Sequence, residues 1–493
     1  MPQPAGFSHD TRFFGHPLGL STLFFTELWE RFGYYGMRAL LVLFMIAAPA
    51  SGGFGFDDST AYAIYGLYTA SVYGWSLPGG WLADRFLGQR RAVLIGGILI
   101  TLGYLMMAIP AKPTFFCGLV VVVLGTGLLK PNVSTIVGQL YSQDDPRRDS
   151  AFSIFYMGIN IGAFVAPLVC GYAGQQIDWR LGFGLAGAGM GVGLLWFIFG
   201  QRPLGDAGLH PVTPANPREA AAQRRLLRNG AAALVLVLGG VGSLALTGKV
   251  TAQTLNNAAG VFLLTVTAVL FGWMLFGGEW SPGERRRLTV IFVLFTASAL
   301  FYSAFEQAGS SLNVFAERHT SNSLFGISYP ASWYQSLNSL FVVTLAPVFA
   351  WLWNRLGKRN PSSPAKFSMA LFSVGISFLL MMTAAGLASS GMRVGAIWLE
   401  VAYLLHTIGE MCLYPVGLSA FTKLAPARVA GLMMGVLFLS ISTGNYVGGK
   451  LASLYGDLPM HDLFRTVAIF ALAAGVGMML LTGRVSRMER DVQ

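Results

Sequence analysis

Charge is what this sequence has least of. Only 11% of its 493 residues are Asp, Glu, Lys or Arg, against about 25% in a soluble domain, while 54% are hydrophobic and mean hydropathy is +0.58. That balance excludes a water-soluble globule and points to an integral membrane protein. Cysteine is scarce too. Cys117, Cys170 and Cys412 lie apart in apolar runs with no CxxC and no metal spacing, so they read as packing residues and carry no information on redox compartment. Residues 1–18, MPQPAGFSHDTRFFGHPL, contain no apolar signal-peptide core and no small-residue cleavage site, and read as a short cytoplasmic tail. HExxH, GxSxG and metal clusters are missing as well, which argues against an intramembrane enzyme. The net charge of +11 does not suggest nucleic acid, because the basic residues sit in short loops between apolar runs, where they orient helices.

What is present is length of apolar chain. A membrane span needs about 20 mostly apolar residues. Candidates fall near 20–47, 59–83, 91–110, 114–140, 150–174 and 181–200, and again near 286–316, 332–353, 366–387, 394–422, 428–452 and 464–483. Two more, roughly 229–248 and 256–277, lie between these sets and carry no ionisable group in their apolar stretches, which suits lipid-facing accessory helices. The reading is therefore an all-α membrane protein of fourteen spans: a six-helix bundle in 1–200, a linker and two accessory helices in 201–283, and a second six-helix bundle in 284–493. With both termini on one side, that side holds 23 of the 33 Lys and Arg residues and the other only 7, so both termini are expected in the cytoplasm. The loops GGWLADRFLGQRR (79–91) and WLWNRLGKR (351–359) each follow the second span of a half, which suggests a duplication with a site at the interface of the halves. The first loop resembles the signature of the major facilitator superfamily; the second has Asn354 where Asp84 stands.

Against this apolar background a few charges stand out. In ELWERFGYYG (27–36), Glu27, Glu30 and Arg31 lie where a charge costs at least ~2.5–3.5 kcal/mol. At ~100° per residue, with Glu27 at 0°, Glu30 falls near −60°, Arg31 near +40°, Tyr34 near −20°, Tyr35 near +80° and Arg38 near +20°. Leu28, Trp29, Phe32, Gly36 and Ala39 gather on the opposite side, so the polar stripe must face the protein interior or a wet cavity. Other spans carry Lys130 before Pro131, Asn160, Glu306 with Gln307, Asn338, and Glu410. Four deep carboxylates face three deep cations, so pairing across a cavity leaves one carboxylate over, a candidate proton carrier. A lone His406 reads as a satisfied core residue, and Tyr34, Tyr35, Tyr68 and Tyr73 each read equally well as packing.

The ten residues 27–36 match the ExxERFxYYG signature of proton-dependent oligopeptide transporters within the major facilitator superfamily. FYMGINIGAF (155–164) and GEMCLYPVGLSAFTKLAP (409–426) resemble that family's further signatures, and the extra helix pair is similar to that of its bacterial members. The resemblance implies a proton-coupled symporter of di- and tripeptides working by alternating access in the bacterial inner membrane. No cofactor beyond the coupling proton is expected, no nucleic acid, and a monomer as the working unit. Glu27, Glu30 and Arg31 would couple protons. Arg31 and Lys130 would hold the peptide carboxylate, Glu410 its amino terminus, and Asn160 and Asn338 its backbone. Tyr34, Tyr35 and Tyr73 would line the pocket, with Glu306 and Gln307 in the same peptide-binding set. Arg38 with Glu306, and Lys130 with Glu410, would be gate pairs. Tyr414 and Tyr302 depart from the family's usual small polar residue and Trp, and bear on the shape of the side-chain pocket. The alternative within the same fold is another cargo, nitrate or a small anion, or a drug by proton antiport.

Overall fold

The computed structural model describes residues 10–490 apart from 143–144, 212–213, 215, 248–250, 325, 427–428, 430–431 and 455–458. Lys249 and Arg428, which enter the orientation count above, lie outside the described residues. The first half holds α1 (Leu18–Ile46), α2 (Asp58–Gly74), α3 (Ser76–Leu82), α4 (Gln89–Met107), α5 (Lys112–Gln139), α6 (Arg148–Tyr172) and α7 (Trp179–Phe199). An accessory pair follows, α8 (Pro217–Leu246) and α9 (Ala252–Gly272). The second half holds α10 (Pro282–Phe305), α11 (Ser311–His319), α12 (Gln335–Leu356), α13 (Ser363–Ala388), α14 (Ile397–Lys423), α15 (Met433–Leu454) and α16 (Met460–Arg490).

Two passes are each built from two helices, so these helices make fourteen passes, as the apolar runs require. α2 and α3 are joined at Trp75, and α10 and α11 are separated by a 3₁₀ turn at Glu306–Gly309. Eleven helical segments among the described residues are long and apolar enough to cross a membrane. α1 falls short because it carries Glu27, Glu30, Arg31 and Arg38, α2 because it stops after 17 residues, and α15 because Asn445 and Lys450 interrupt its apolar run. The start of α1 and the end of α16 lie on the side that also carries the basic loops, called here the basic side; the opposite face is the far side.

Local chemistry sets the ends. Asp57 accepts from the Thr60 N–H at the start of α2, and Ser281 with Glu284 forms a reciprocal capping box ahead of α10, with Pro282 at its first position. The Asp10 carboxylate accepts from the N–H of Leu18, the first residue of α1, at 3.0 Å. The Arg12 guanidinium beside it holds the Asp10 carboxyl well below the usual carboxylate range. A short antiparallel hairpin pairs Ser323 with Ser328 and Leu324 with Ile327 on the far side. Each half has its own apolar core, one centred on residues such as Leu41, Tyr104 and Val133, the other on Phe301, Phe367 and Leu437.

Two features differ from the sequence reading. The polar linker is partly ordered: α8 begins at Pro217, because PREAAAQRRLLR is made of strong helix formers behind an N-terminal proline. Ahead of it, residues 205–208 dock under the first half. The Arg90 side chain donates to the carbonyl oxygens of Ala207, at 2.6 Å, and Gly205. The Gly208 N–H donates to Gln139 Oε1 at 2.6 Å, and Arg85 pairs with Glu219 of α8 at 2.9 Å. The accessory helices are also unlike each other. α8 is exposed along its length, as a lipid-facing helix should be. α9 packs on α2 and α15, where its Asn257 accepts from Lys450 at 2.8 Å, and at its C-terminal end Phe271 is buried against Phe292 and Phe295 of α10. It therefore covers the seam between the halves on that side.

Candidate functional site

The deep charges converge. Where α1, α5 and α6 of the first half face α10, α12 and α14 of the second, a cavity of about 110 Å³ lies between them, room for several water molecules. Glu27, Arg31, Tyr35, Arg38, Tyr73, Lys130 and Asn160 line it from one side; Glu306, Asn338 and Glu410 line it from the other. Helical spacing brings them there. Glu27, Arg31, Tyr35 and Arg38 occupy about 0° to +80° on α1, while Glu30 and Tyr34, at negative angles, turn into the bundle. Neither is part of the lining: Glu30 is 0% exposed and Tyr34 2%.

Glu30 belongs to the site through Arg31. Arg31 Nη2 donates to Glu30 Oε1 at 2.7 Å and its Nε donates to Oε2. Glu27 Oε1 is 3.4 Å from the same Nε, so one guanidinium serves two carboxylates. The second oxygen of Glu27, Oε2, is buried and has no hydrogen-bond partner among the described residues. Arg31 also stacks over the ring of Tyr34, 4.9 Å from its centroid, which gives that tyrosine a positioning contact rather than a lining one.

Across the seam the two gate pairs behave differently. Arg38 Nη2 meets Glu306 Oε2 at 2.8 Å. Tyr65 completes this unit, its hydroxyl accepting from Arg38 Nε at 2.7 Å and donating to Glu306 Oε2 at 3.3 Å. Lys130 and Glu410 are not paired. Lys130 Nζ sits over the ring of Tyr73, 4.1 Å from the centroid. Glu410 Oε2 accepts from Asn338 Nδ2 at 2.9 Å, the same amide reaching Thr407 Oγ1 at 3.1 Å. Gln307 does not line the cavity. It braces the break after α10, donating to the Gly448 carbonyl oxygen at 3.0 Å and accepting from Ser311 Oγ at 2.7 Å. A residue beside a helix break has carbonyl and hydroxyl groups in reach that need a partner, and this amide supplies one.

Further hydrogen bonds join the halves at mid-depth or on the far side. Arg318 pairs bidentately with Asp58 at 2.6 and 2.8 Å, and Ser59 donates to the Ser453 carbonyl oxygen at 2.6 Å. Asn313 donates to the Ala39 carbonyl at 2.9 Å, Ser336 to that of Phe164 at 2.7 Å, and Ser442 to that of Ala70 at 2.7 Å. Gln175 accepts from the Ser332 N–H at 3.0 Å and donates to Glu317 at 2.9 Å. The backbones of α2 and α15 touch at Gly66 and Gly449, where a side chain on either would meet the other's Cα.

Several lining residues escape a search for charges: Tyr156, Ile159, Phe305, Gln335, Tyr403 and His406, with Tyr302 and Tyr414 also present. A signal existed. Tyr403, His406, Glu410 and Tyr414 repeat at three- and four-residue steps, one face of α14, as do Tyr156 and Asn160 on α6. Such a site presents both signs of charge to the cavity and holds a carboxylate oxygen, Glu27 Oε2, with no partner among the described residues.

A family model described as the POT family matches residues 90–472. A peptide transporter of Yersinia enterocolitica subsp. palearctica is 40% identical over 500 residues, covering 98% of this chain and 97% of its own. A di-/tripeptide transporter of Lactococcus lactis subsp. cremoris is 37% identical over 492 residues, covering 98% of each. Among solved structures, that of a peptide transporter POT in complex with sulfate superimposes with a TM-score of 0.91 at 42% identity, covering 97% of both chains.

Proposed function

Because the chain belongs to the POT family of transporters, we propose that it imports di- and tripeptides together with protons by alternating access. The observation that carries this reading is the sign of charge on the two walls. Arg31 and Lys130 face the cavity from one half, Glu306 and Glu410 from the other, and Lys130 and Glu410 are left free of each other. A zwitterionic dipeptide spans about 7 Å between its charged ends and fits such a pocket carboxylate to cation and ammonium to anion.

On this reading Arg31 and Lys130 take the carboxylate, Glu410 the amino terminus, and Asn160 and Asn338 the backbone amides, while Tyr35 and Tyr73 flank the ligand. Asn338 already orients Glu410, so it acts on the ammonium site through that carboxylate as well as on the peptide itself. Glu27 is the proton-accepting group. Arg31 is shared with Glu30, which holds it the more tightly, and protonation at the unpartnered Oε2 releases Arg31 from Glu27 toward the substrate. The basic side is the cytoplasmic one, so both termini lie in the cytoplasm. The Arg38–Tyr65–Glu306 unit and the Asp58–Arg318 pair then shut the outer side. Inward closure, by contrast, would bring Lys130 and Glu410 together. Peptide and proton compete with these pairs and so shift the equilibrium between the two openings.

Uptake of labelled dialanine into proteoliposomes under an inward proton gradient tests the proposal: gradient-dependent uptake that unlabelled tripeptide suppresses is the expected result. Without such uptake the symport reading is wrong. Glu27→Gln is expected to lose uphill accumulation while retaining peptide counterflow; losing both would make Glu27 a binding or folding residue.

A further inference from the structure

One corner of the cavity is polar without being charged, and the transport reading leaves it unused. Gln335, the first residue of α12, is 5% exposed, and His406 on α14 is 1% exposed. Both line the cavity. Both ends of the Gln335 amide, Nε2 and Oε1, and both ring nitrogens of His406 lack a hydrogen-bond partner among the described residues. Two buried side chains with every polar atom uncommitted are costly to keep in a folded chain, because desolvated donors and acceptors lose their bonds to water. Packing does not require them there: His406 is surrounded by the rings of Phe305, Phe378 and Tyr403 at 5.7, 5.4 and 6.3 Å, a pocket that suits an apolar side chain.

Their heights in the membrane agree. α12 and α14 both begin on the far side, so they run parallel, and Asn338 fixes their register by bonding to Thr407 and Glu410 at once. Gln335 lies one turn above Asn338 toward the far side, and His406 one turn above Glu410. The two uncommitted groups therefore share one level, about 6 Å beyond the carboxylate at Glu410. That is the reach of the first side chain of a peptide whose ammonium sits on Glu410.

We propose that Gln335 and His406 form a side-chain subsite for the amino-terminal residue of the transported peptide, selective for an uncharged side chain that both donates and accepts hydrogen bonds, a carboxamide or a hydroxyl. The inference rests on the peptide reading given above. A carboxamide matches the corner in kind: its oxygen accepts from the Gln335 amide or an imidazole N–H, and its NH2 donates to Gln335 Oε1 or the other ring nitrogen. A carboxylate side chain is disfavoured, because Arg38 is already committed to Glu306 and the uncharged corner offers it no cation in a desolvated site.

The test uses shape-matched peptides, since Asn and Leu differ little in size but entirely in hydrogen bonding. Inhibition of labelled dialanine uptake is measured for Asn-Ala against Leu-Ala, and for Ala-Asn against Ala-Leu, in the wild type and in Gln335→Leu, His406→Leu and His406→Gln. Each ratio is taken within one variant, so the amount of folded protein cancels, and the peptide-induced shift in melting temperature of the purified protein reads the same preference without transport. The expected result is that either leucine variant lowers the Asn-Ala to Leu-Ala preference about tenfold, leaves the Ala-Asn to Ala-Leu preference in place, and that His406→Gln keeps the wild-type ratio. An unchanged ratio overturns the subsite, and so does an equal shift at both peptide positions. Loss of proton-driven accumulation in His406→Gln with unmoved ratios overturns it in favour of proton transfer at His406. A wild type that takes up no dialanine overturns the peptide reading and the subsite together, whereas normal wild-type uptake with unmoved ratios overturns the subsite alone.

Discussion

Two stretches of the same seam carry opposite charges on their opposite walls, yet only one has brought them together. On the far side Arg38 and Glu306 are in contact at 2.8 Å, buried, with Tyr65 bonded to both. One to two turns toward the basic side, Lys130 and Glu410 are equally complementary but apart, one over a tyrosine ring and the other held by an asparagine. A made pair has already exchanged its hydration for protein contacts and favours staying as it is. An unmade pair keeps both charges available to a third party. The difference teaches that complementary charge across a seam does not say what is bonded. It says what can be bonded in turn.

The comparison can be broken most decisively at the unmade pair. Lys130→Ala removes the cation a carboxylate ligand needs in a desolvated site, a loss of ~2–5 kcal/mol, and is expected to lower the initial rate of proton-driven dialanine uptake by ~30-fold or more. A fall under threefold would mean Lys130 is as structural as its neighbours. Next in size comes the made pair. Arg38→Leu leaves Glu306 buried without its cation, destabilising by ~3–5 kcal/mol, while the double variant Arg38→Leu with Glu306→Leu strands no charge and leaves only the neutral Tyr65 hydroxyl without its partners. Thermal unfolding in detergent should therefore rank the double variant above either single one; the reverse order would show the two residues acting independently.

The smallest effect belongs to the outermost pair. Arg318 and Asp58 are bidentate but Arg318 is 43% exposed, so water and salt screen them, and Asp58→Asn is expected to change stability by less than ~1 kcal/mol. Its measure is the rate at which Ala308→Cys, on the cavity wall, is labelled by a thiol reagent from the far side. A modest, salt-sensitive rise is expected for Asp58→Asn and a much larger, salt-insensitive one for Arg38→Leu. Equal effects would erase the distinction between the buried and the exposed layers of the closure.

How far the sequence already contained this is clearest on α1. The 100° wheel put every charged group of ELWERFGYYG on one face, and that face does meet the cavity. It could not say which edge of the stripe is turned inward to the bundle, because that depends on how the helix is rotated against its neighbours, and so the sequence places Tyr34 in the pocket, where the structure turns it, with Glu30, away from the lining. Gln307, which the resemblance places in the peptide-binding set, points ~100° away from Glu306, and the break at Glu306–Gly309 consumes its amide. Fourteen passes were legible because bilayer thickness fixes the length of apolar runs. The early start of α8 was not, since a polar helix leaves no apolar signature. His406 was legible as a buried histidine but not as an uncommitted one; hydrogen-bond partners come from other helices and cannot be counted along one. The pairing of Arg38 rather than Lys130 lay beyond the sequence for a related reason: it belongs to one state of a moving protein, and the same residues serve the other state.

The contact of Gly66 with Gly449 bears on how quickly that movement runs. Helices that interlock by side chains must unmesh their ridges and wait for rotamers to turn before they part. Here α2 and α15 meet as bare main chain, so at this point there are no teeth to disengage, and what must be given up on parting is the close backbone contact itself. The surface works as a plain bearing. Sliding there needs no rotamer to turn in either direction, and the polar latches around it are the contacts for which ligand and proton compete.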